Sequence, residues 1–338
     1  FGLVSAALMD IPPARLLAHA VDMAGACRAD TLTNPGLTLG AFMGTQAQAG
    51  RDKLTLILPP SLAALGLWIE QLVAESTGKL GCGVLPVVDE PVANPESYDV
   101  DRAFVVVSPP GDARVAKKLA ALTRAGHPVF HIETTPDHLG AEFFRWEFAT
   151  AIAGAILEVN PFDEPNVRDA KARTMAILEG PRPLVISPPL TERDGILERA
   201  HRPAGARLPG PGTFVALLDY LPVDERRAET VARIRAHISA LTGSATTHGL
   251  GPRYLHSTGQ FHKGGTNHGF FILLTADDAT ETAVPGMDYS FSTLKHAQAL
   301  GDFDALCAND RHVVHVHIAD KDADFSAEMK RVVHAQFT

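Results

Sequence analysis

The chain has 338 residues, 46% of them hydrophobic and 20% charged, with a formal net charge of −9. That is enough apolar material for one large α/β core or two smaller ones, since domains run to roughly 100–200 residues, and it excludes general disorder. An acidic balance without a run of Lys and Arg argues against nonspecific nucleic-acid binding, which needs clustered positive charge.

In chain order, the opening FGLVSAALMD is neither basic nor followed by a small-residue cleavage site and lacks an initiator Met, so a start inside a longer chain is expected. LTLILP (54–59), AFVVVSP (103–109) and PVFHIE (128–133) read as short strands, each beside a helical pattern such as SLAALGLWIEQLVAES or DARVAKKLAALTRAG. GAEFFRWEFATAIAGAIL (140–157) reads as a long, largely buried helix. Between residues 181 and 212 prolines and glycines interrupt any regular pattern, which predicts a linker or a wrap-around excursion. The alternation then resumes with TFVALLDYL, ERRAETVARIRAHISALTG, GFFILLT (269–275), SFSTLKHAQALGD and HVVHVHI (312–318).

This pattern predicts a parallel, helix-covered sheet at residues 1–180, the linker at 181–212, and a second, smaller α/β unit at 213–338. The two halves run through similar elements in the same order, as a diverged internal duplication would. Cys27, Cys82 and Cys307 are far apart and form no C-x-x-C pair, so neither a disulfide framework nor a zinc ribbon is indicated, and a reducing cytoplasm fits. No stretch of about 18 apolar residues suggests a membrane span.

Three segments carry groups that could do chemistry. In NPFDEPNVRDAK (160–171), Asn160, Pro161 and Asp163 suit a turn and a helix start, with Lys171 about two turns inside. Lys171 either points back toward a pocket at the sheet's edge or is a solvated lysine on an ordinary capped helix. AESTGKLGCGVLPVVDEP (74–91) places Asp89 and Glu90 on a loop after a short apolar run, where a carboxylate can serve as a general base or simply end a surface turn. Its S-T-G-K lacks the first glycine of a phosphate-binding P-loop and has the hydroxyl residues before Lys79, which rules that motif out. RYLHSTGQFHKGGTNHGFF (253–271) gathers His256, Ser257, Gln260, His262, Lys263, Asn267 and His268 around Gly259, Gly264 and Gly265 before an apolar strand, a polar set suited to a polyhydroxylated, phosphorylated ligand. Of His312, His315 and His317, the last two share a face of a strand, but no carboxylate stands at ligand spacing, so edge or interface histidines are expected and no metal.

Together these segments resemble the glucose-6-phosphate isomerase family, in the version joined to transaldolase. The family pattern N-P-F-[DN]-Q-P-x-V-x-x-x-K matches Asn160 to Lys171, with Glu164 in place of the glutamine. E-S-x-G-K and a following G-E-P-like turn match Glu75, Ser76, Gly78 and Lys79, then Asp89, Glu90 and Pro91. L-H-S-[TM]-G-Q matches Leu255 to Gln260. The resemblance implies Lys171 as the lysine assisting ring opening, and Glu90 as the base moving a proton between C1 and C2 through an enediol. It implies His256 as a substrate-contacting or ring-opening imidazole, with Glu164, Ser257, Gln260 and Lys263 around the substrate. It further implies a sugar-isomerase (SIS-type) three-layer αβα sandwich and a sugar phosphate substrate, with no cofactor. A homodimer, and upstream sugar-isomerase and transaldolase domains in a longer chain, are implied too. The Ser/Thr-rich phosphate loop of the family has no counterpart in this sequence, so little isomerase activity is expected of it alone. A sugar-phosphate-binding regulator and a dimerisation module are the alternatives from other classes.

Overall fold

Runs of β-branched and aromatic residues joined by helices build two sheets, one parallel and one mostly parallel, in a computed structural model. It describes residues 2–180, 189–193, 196–221, 225–278, 280–318 and 325–337. The chain separates into two compact units, the first made of Phe1–Thr77, Gly83–Asp89 and Asp101–Asp163, the second of Gly78–Cys82, Glu90–Val100 and Glu164–Thr338. Among the described residues no helix is long and apolar enough to cross a membrane.

The first unit opens with helices α1 (Leu3–Leu8), α2 (Pro13–Ala26) and α3 (Pro35–Gln48). It continues with β1 (Lys53–Ile57), α4 (Ala63–Thr77), β2 (Leu85–Val87), β3 (Arg102–Ser108), α5 (Ala113–Arg124), β4 (Val129–Glu133) and α6 (Leu139–Ile156). Its four strands are parallel in the order β2-β1-β3-β4. Alternate residues Leu54 and Leu56 of β1 and Ala103, Val105 and Val107 of β3 form one apolar face, covered by Leu39 and Met43, Leu65, Ile69 and Val73, and Trp146, Ala149 and Ala153 of α3, α4 and α6.

Three glycines one helical turn apart let α3 lie against α6. A Cβ on Gly36 would meet Phe148 at 2.7 Å, one on Gly40 the Ala149 carbonyl oxygen at 2.5 Å, and one on Gly44 Ile156 at 2.8 Å. Asn34 fixes where α3 starts, its side-chain oxygen accepting from the Gly36 and Leu37 amides while its amide group donates to the Cys27 and Ala29 carbonyls.

The second unit contains α7 (Val167–Glu179), β5 (Thr191–Arg193), β6 (Ile196–His201), β7 (Phe214–Asp219), α8 (Glu225–Thr242), β8 (Ala245–Leu250), α9 (Gly259–Gly264), β9 (Gly269–Ala276), α10 (Phe291–Ala308), β10 (His312–Ile318) and α11 (Phe325–Phe337). Its sheet has six strands in the order β5-β6-β10-β9-β7-β8, so it exceeds the first sheet rather than being the smaller one. Strands β8, β7, β9 and β10 are parallel, and β6 and β5 extend the sheet antiparallel beyond β10. Taken in chain order, the four parallel strands of each unit follow the same arrangement, second-first-third-fourth.

Two sequence expectations change here. The linker expected at 181–212 falls partly outside the described residues, at 181–188 and 194–195. Its described part supplies β5 and β6, because residues 190–202 run without a proline and can pair in a ladder. The histidines of β10 do not lie on an edge, since β10 sits between β6 and β9. His315 is buried, its Nδ1 accepting from the Arg199 Nε at 3.0 Å, and His315 and His317 both hydrogen-bond Thr275.

Gly40→Ala forces a methyl group into backbone and should lower stability by about 1–3 kcal/mol. Gly25→Ala in α2 meets nothing within 4 Å and should be neutral or slightly stabilising. Thermal melts of the two variants beside the parent chain check the contrast.

Candidate functional site

The polar segments singled out in the sequence converge in the second unit on one buried side chain. Gln260, in α9, has no exposed surface. Its Nε2 donates to the Gly78 carbonyl at 2.9 Å and to Asn166 Oδ1 at 2.8 Å, and its Oε1 accepts from the Asn166 amide at 2.9 Å. A buried primary amide has two donors and an acceptor to satisfy, and here all three are engaged.

The loop held by Gln260 is a tight reversal in which Lys79 and Cys82 exchange backbone hydrogen bonds at 3.0–3.1 Å, and the Gly81 amide donates to the Gly264 carbonyl at 2.9 Å. Gly264 must lack a side chain, because a Cβ there would lie 2.6 Å from Asn166 Oδ1 and 2.7 Å from both Gln260 Nε2 and the Gly78 oxygen. Three chain segments far apart in sequence thus meet around one amide.

Beside it lies a buried ionic cluster. Lys263 Nζ sits 2.6 Å from Asp302 Oδ1, and the other oxygen of Asp302 accepts from the Tyr254 hydroxyl at 2.6 Å. Lys263, Asp302 and Tyr254 are all buried. Burial, and then the Asp302 charge, push the Tyr254 and Tyr220 phenols well above their ordinary value, so both stay protonated. The Arg311 guanidinium donates to the carbonyls of Gly265, at 2.9 Å, and Lys263, closing the end of α9.

Of the expected site residues, Gln260, Lys263 and Ser257 are buried and bonded within the protein, Ser257 to the Tyr254 carbonyl at 3.3 Å, and hold the loop together. His256 is exposed on the 3-10 turn before α9, Lys171 is exposed in α7, and Glu164 is exposed just ahead of that helix. Gln260 therefore anchors the start of the helix that carries Lys171.

Glu90 is half-buried, and its Oε1 accepts from both the backbone amide of Thr246, at 2.7 Å, and the Thr246 hydroxyl, at 3.0 Å. The Arg235 guanidinium donates to the Thr246 carbonyl at 2.7 Å. Two donors on one oxygen fix the carboxylate at the amino end of β8, whereas His256 follows the turn beyond the carboxyl end of that strand. Sequence reasoning missed Asp302, Asn166, Thr246 and Arg235. Asn166 could have been read as a helix N-terminal residue, but a single Asp inside the helix of Ala297, Leu300 and Phe303 gives no local signal.

No protein-family model matches the chain. Among curated proteins it is similar to the glucose-6-phosphate isomerase of Symbiobacterium thermophilum, 30% identical over 206 residues, covering 47% of this chain and 46% of that protein. The glucose-6-phosphate isomerase of Heliobacterium modesticaldum is 27% identical over 224 residues, 53% of this chain and 49% of that one. A shorter match, 47% over 49 residues, joins it to the enzyme of the same name from Exiguobacterium sibiricum and covers 14% of this chain and 11% of that protein. The chain spans about half the length of the first two relatives. Among solved structures, a hypothetical protein of Thermus thermophilus aligns over 98% of this chain and 88% of its own at 13% identity, but its TM-score of 0.32 carries no argument.

Gln260→Leu strands the Gly78 carbonyl and both polar groups of Asn166, and should cost at least about 2–4 kcal/mol. Faster amide exchange at Gly81 and Asn166 would accompany the loss; an unchanged melting temperature would instead make Gln260 dispensable to the fold.

His262 gives a pH dependence. Both its ring nitrogens are buried without a partner, and burial first, then Lys263 and Arg311, hold its pKa well below 6.5. The unfolded chain takes up a proton near pH 6.5 that the folded one refuses, so this residue's stability contribution is present above that pH and declines below it. The slope is at most about 1.4 kcal/mol per pH unit. His262→Leu should melt no lower than the parent at pH 8 and lose less than the parent on going to pH 5.5.

Proposed function

We propose, from the premise that this chain resembles the glucose-6-phosphate isomerases over about half its length, that it is part of an enzyme interconverting glucose 6-phosphate and fructose 6-phosphate through an enediol. The observation that carries this reading is the set of curated relatives of that name, together with the segments at Asn160–Lys171 and Leu255–Gln260. Lys171, at the surface of the second unit, assists opening of the sugar ring, and His256, which lies past the far end of β8 from Glu90, joins it from the partner subunit of a homodimer. Glu90 takes the C2 proton and returns it to C1, its carboxylate held in place by Thr246. Glu164 brings a negative charge to a site for an anionic substrate.

The proposal includes a homodimer, and it includes a need for the part of the family fold outside the matched half, with its phosphate-holding loop. The version fused to transaldolase belongs to the same reading.

Turnover of glucose 6-phosphate is measured for this chain and for a version extended by the upstream portion of the family fold. Activity in the extended protein supports the reading, and activity in neither favours a sugar-phosphate-binding regulator. In the active form, Glu90→Gln should lower kcat by about 10²–10⁴-fold. The anchoring of Glu90 makes Glu75, half-exposed near the end of α4 in the matched E-S-x-G-K segment, the necessary comparison. Near-normal turnover in Glu90→Gln with loss in Glu75→Gln would move the base to Glu75 and leave Glu90 as an anchor for Thr246.

A further inference from the structure

Helices α8 and α11 cover the same face of the second sheet. Val231, Ile234 and Ile238 of α8 and Val332 and Val333 of α11 pack with Val215, Leu217, Phe270, Ile272, Leu274, Val314 and Val316. Between the two helices opens a cavity of about 530 Å³ lined by Thr230, Arg233, Ile234, His237, Lys330, Val333 and His334. Ile234 and Val333, both buried, form its floor. Its walls come from two pairs of side chains, each spaced one helical turn apart, a permanent cation with an imidazole: Arg233 with His237 on α8 and Lys330 with His334 on α11, all four exposed. Among the described residues the lining contains no carboxylate.

Such a lining is unusual for a chain of net charge −9. Arg233 on α8 and Lys330 on α11 bring two positive side chains to the same cavity, one from each helix. An anion seated between them is attracted to both, and Arg233 is held beside the cavity by its Nη2, which donates to the Thr230 hydroxyl at 3.3 Å. The volume falls in the range of small-molecule pockets, about 300–1,000 Å³, and the apolar floor suits a carbon skeleton below a charged group. An extended polyanion needs a basic track instead of one enclosed pocket, and the acidic surface elsewhere repels it.

We propose that the α8–α11 cavity is a second small-molecule site, separate from the residues assigned to isomerisation, and that it takes a phosphorylated metabolite. Arg233 and Lys330 clamp the phosphate, Thr230 and the two imidazoles supply further hydrogen bonds, and Ile234 and Val333 support the rest of the ligand. The assignment does not depend on the isomerase reading.

Inorganic pyrophosphate is the probe, titrated calorimetrically into the 338-residue chain at constant ionic strength. Saturable binding is expected, weakened about tenfold or more in Arg233→Ala/Lys330→Ala and kept in the charge-retaining pair Arg233→Lys/Lys330→Arg. Because Lys330 is exposed, Lys330→Gln alone leaves the fold in place and should by itself weaken binding measurably. Absence of saturable binding in the parent, or the same affinity in the parent and the double alanine variant, overturns the proposal.

Discussion

A buried side-chain amide cannot leave its donors and acceptor unsatisfied, and in the second unit that requirement fixes the local architecture. Gln260 reaches Gly78 on one side and both polar groups of Asn166 on the other, so a loop from early in the chain and the first residue before α7 are held to α9. Each of these bonds contributes only about 1 kcal/mol net, yet the cost of leaving its partner unpaired in the interior is larger, which makes the arrangement all or nothing. The bare backbone of Gly264 is the steric half of the same constraint.

The neighbouring cluster follows the same logic with charge. Lys263 and Asp302 are both buried, and the cost of desolvating two ions is offset only when geometry is good and the remaining lone pairs are used. The second oxygen of Asp302 is used by Tyr254, whose ring packs edge-on against Tyr220 with centroids 5.8 Å apart. His262, next in the chain to Lys263, faces the rings of Tyr254 and Phe271, where no group can accept or donate to it, and remains neutral. The result is a loop held by side chains at its core while its outer residues, His256 among them, stay at the surface.

Most of the α/β elements could be read from hydrophobic alternation, because strands buried on both sides are continuous apolar runs: AFVVVS and GFFILLT become β3 and β9 with shifts of no more than about a residue. β8 escaped notice, since ATTHGL is half polar and is held as a strand through burial of Ala245, Thr246 and Thr247 beside β7. β5 and β6 were hidden by the prolines around them. The common strand order of the two units was foreshadowed only as a likeness in the sequence of elements; order within a sheet depends on which strands pair, and no local pattern encodes that.

The candidate site was less legible, for a definite reason. Motif matching picks out residue types, and a polar residue in a motif can either face a ligand or hold the loop that presents one. Gln260 and Lys263 look alike with His256 on paper, as polar groups among glycines, but the aromatic residues Tyr254 and Phe261 in that segment turn one side of it inward. The partners that decide the matter, Asn166 at a distance of 94 residues and Asp302 on α10, lie outside the motif. The same holds for Glu90, whose anchor Thr246 is 156 residues away. Since the Thr246 amide and hydroxyl already occupy one oxygen of Glu90, that oxygen has less room to take a proton from a substrate, and the position of a base in a matched segment must be weighed against what already holds it.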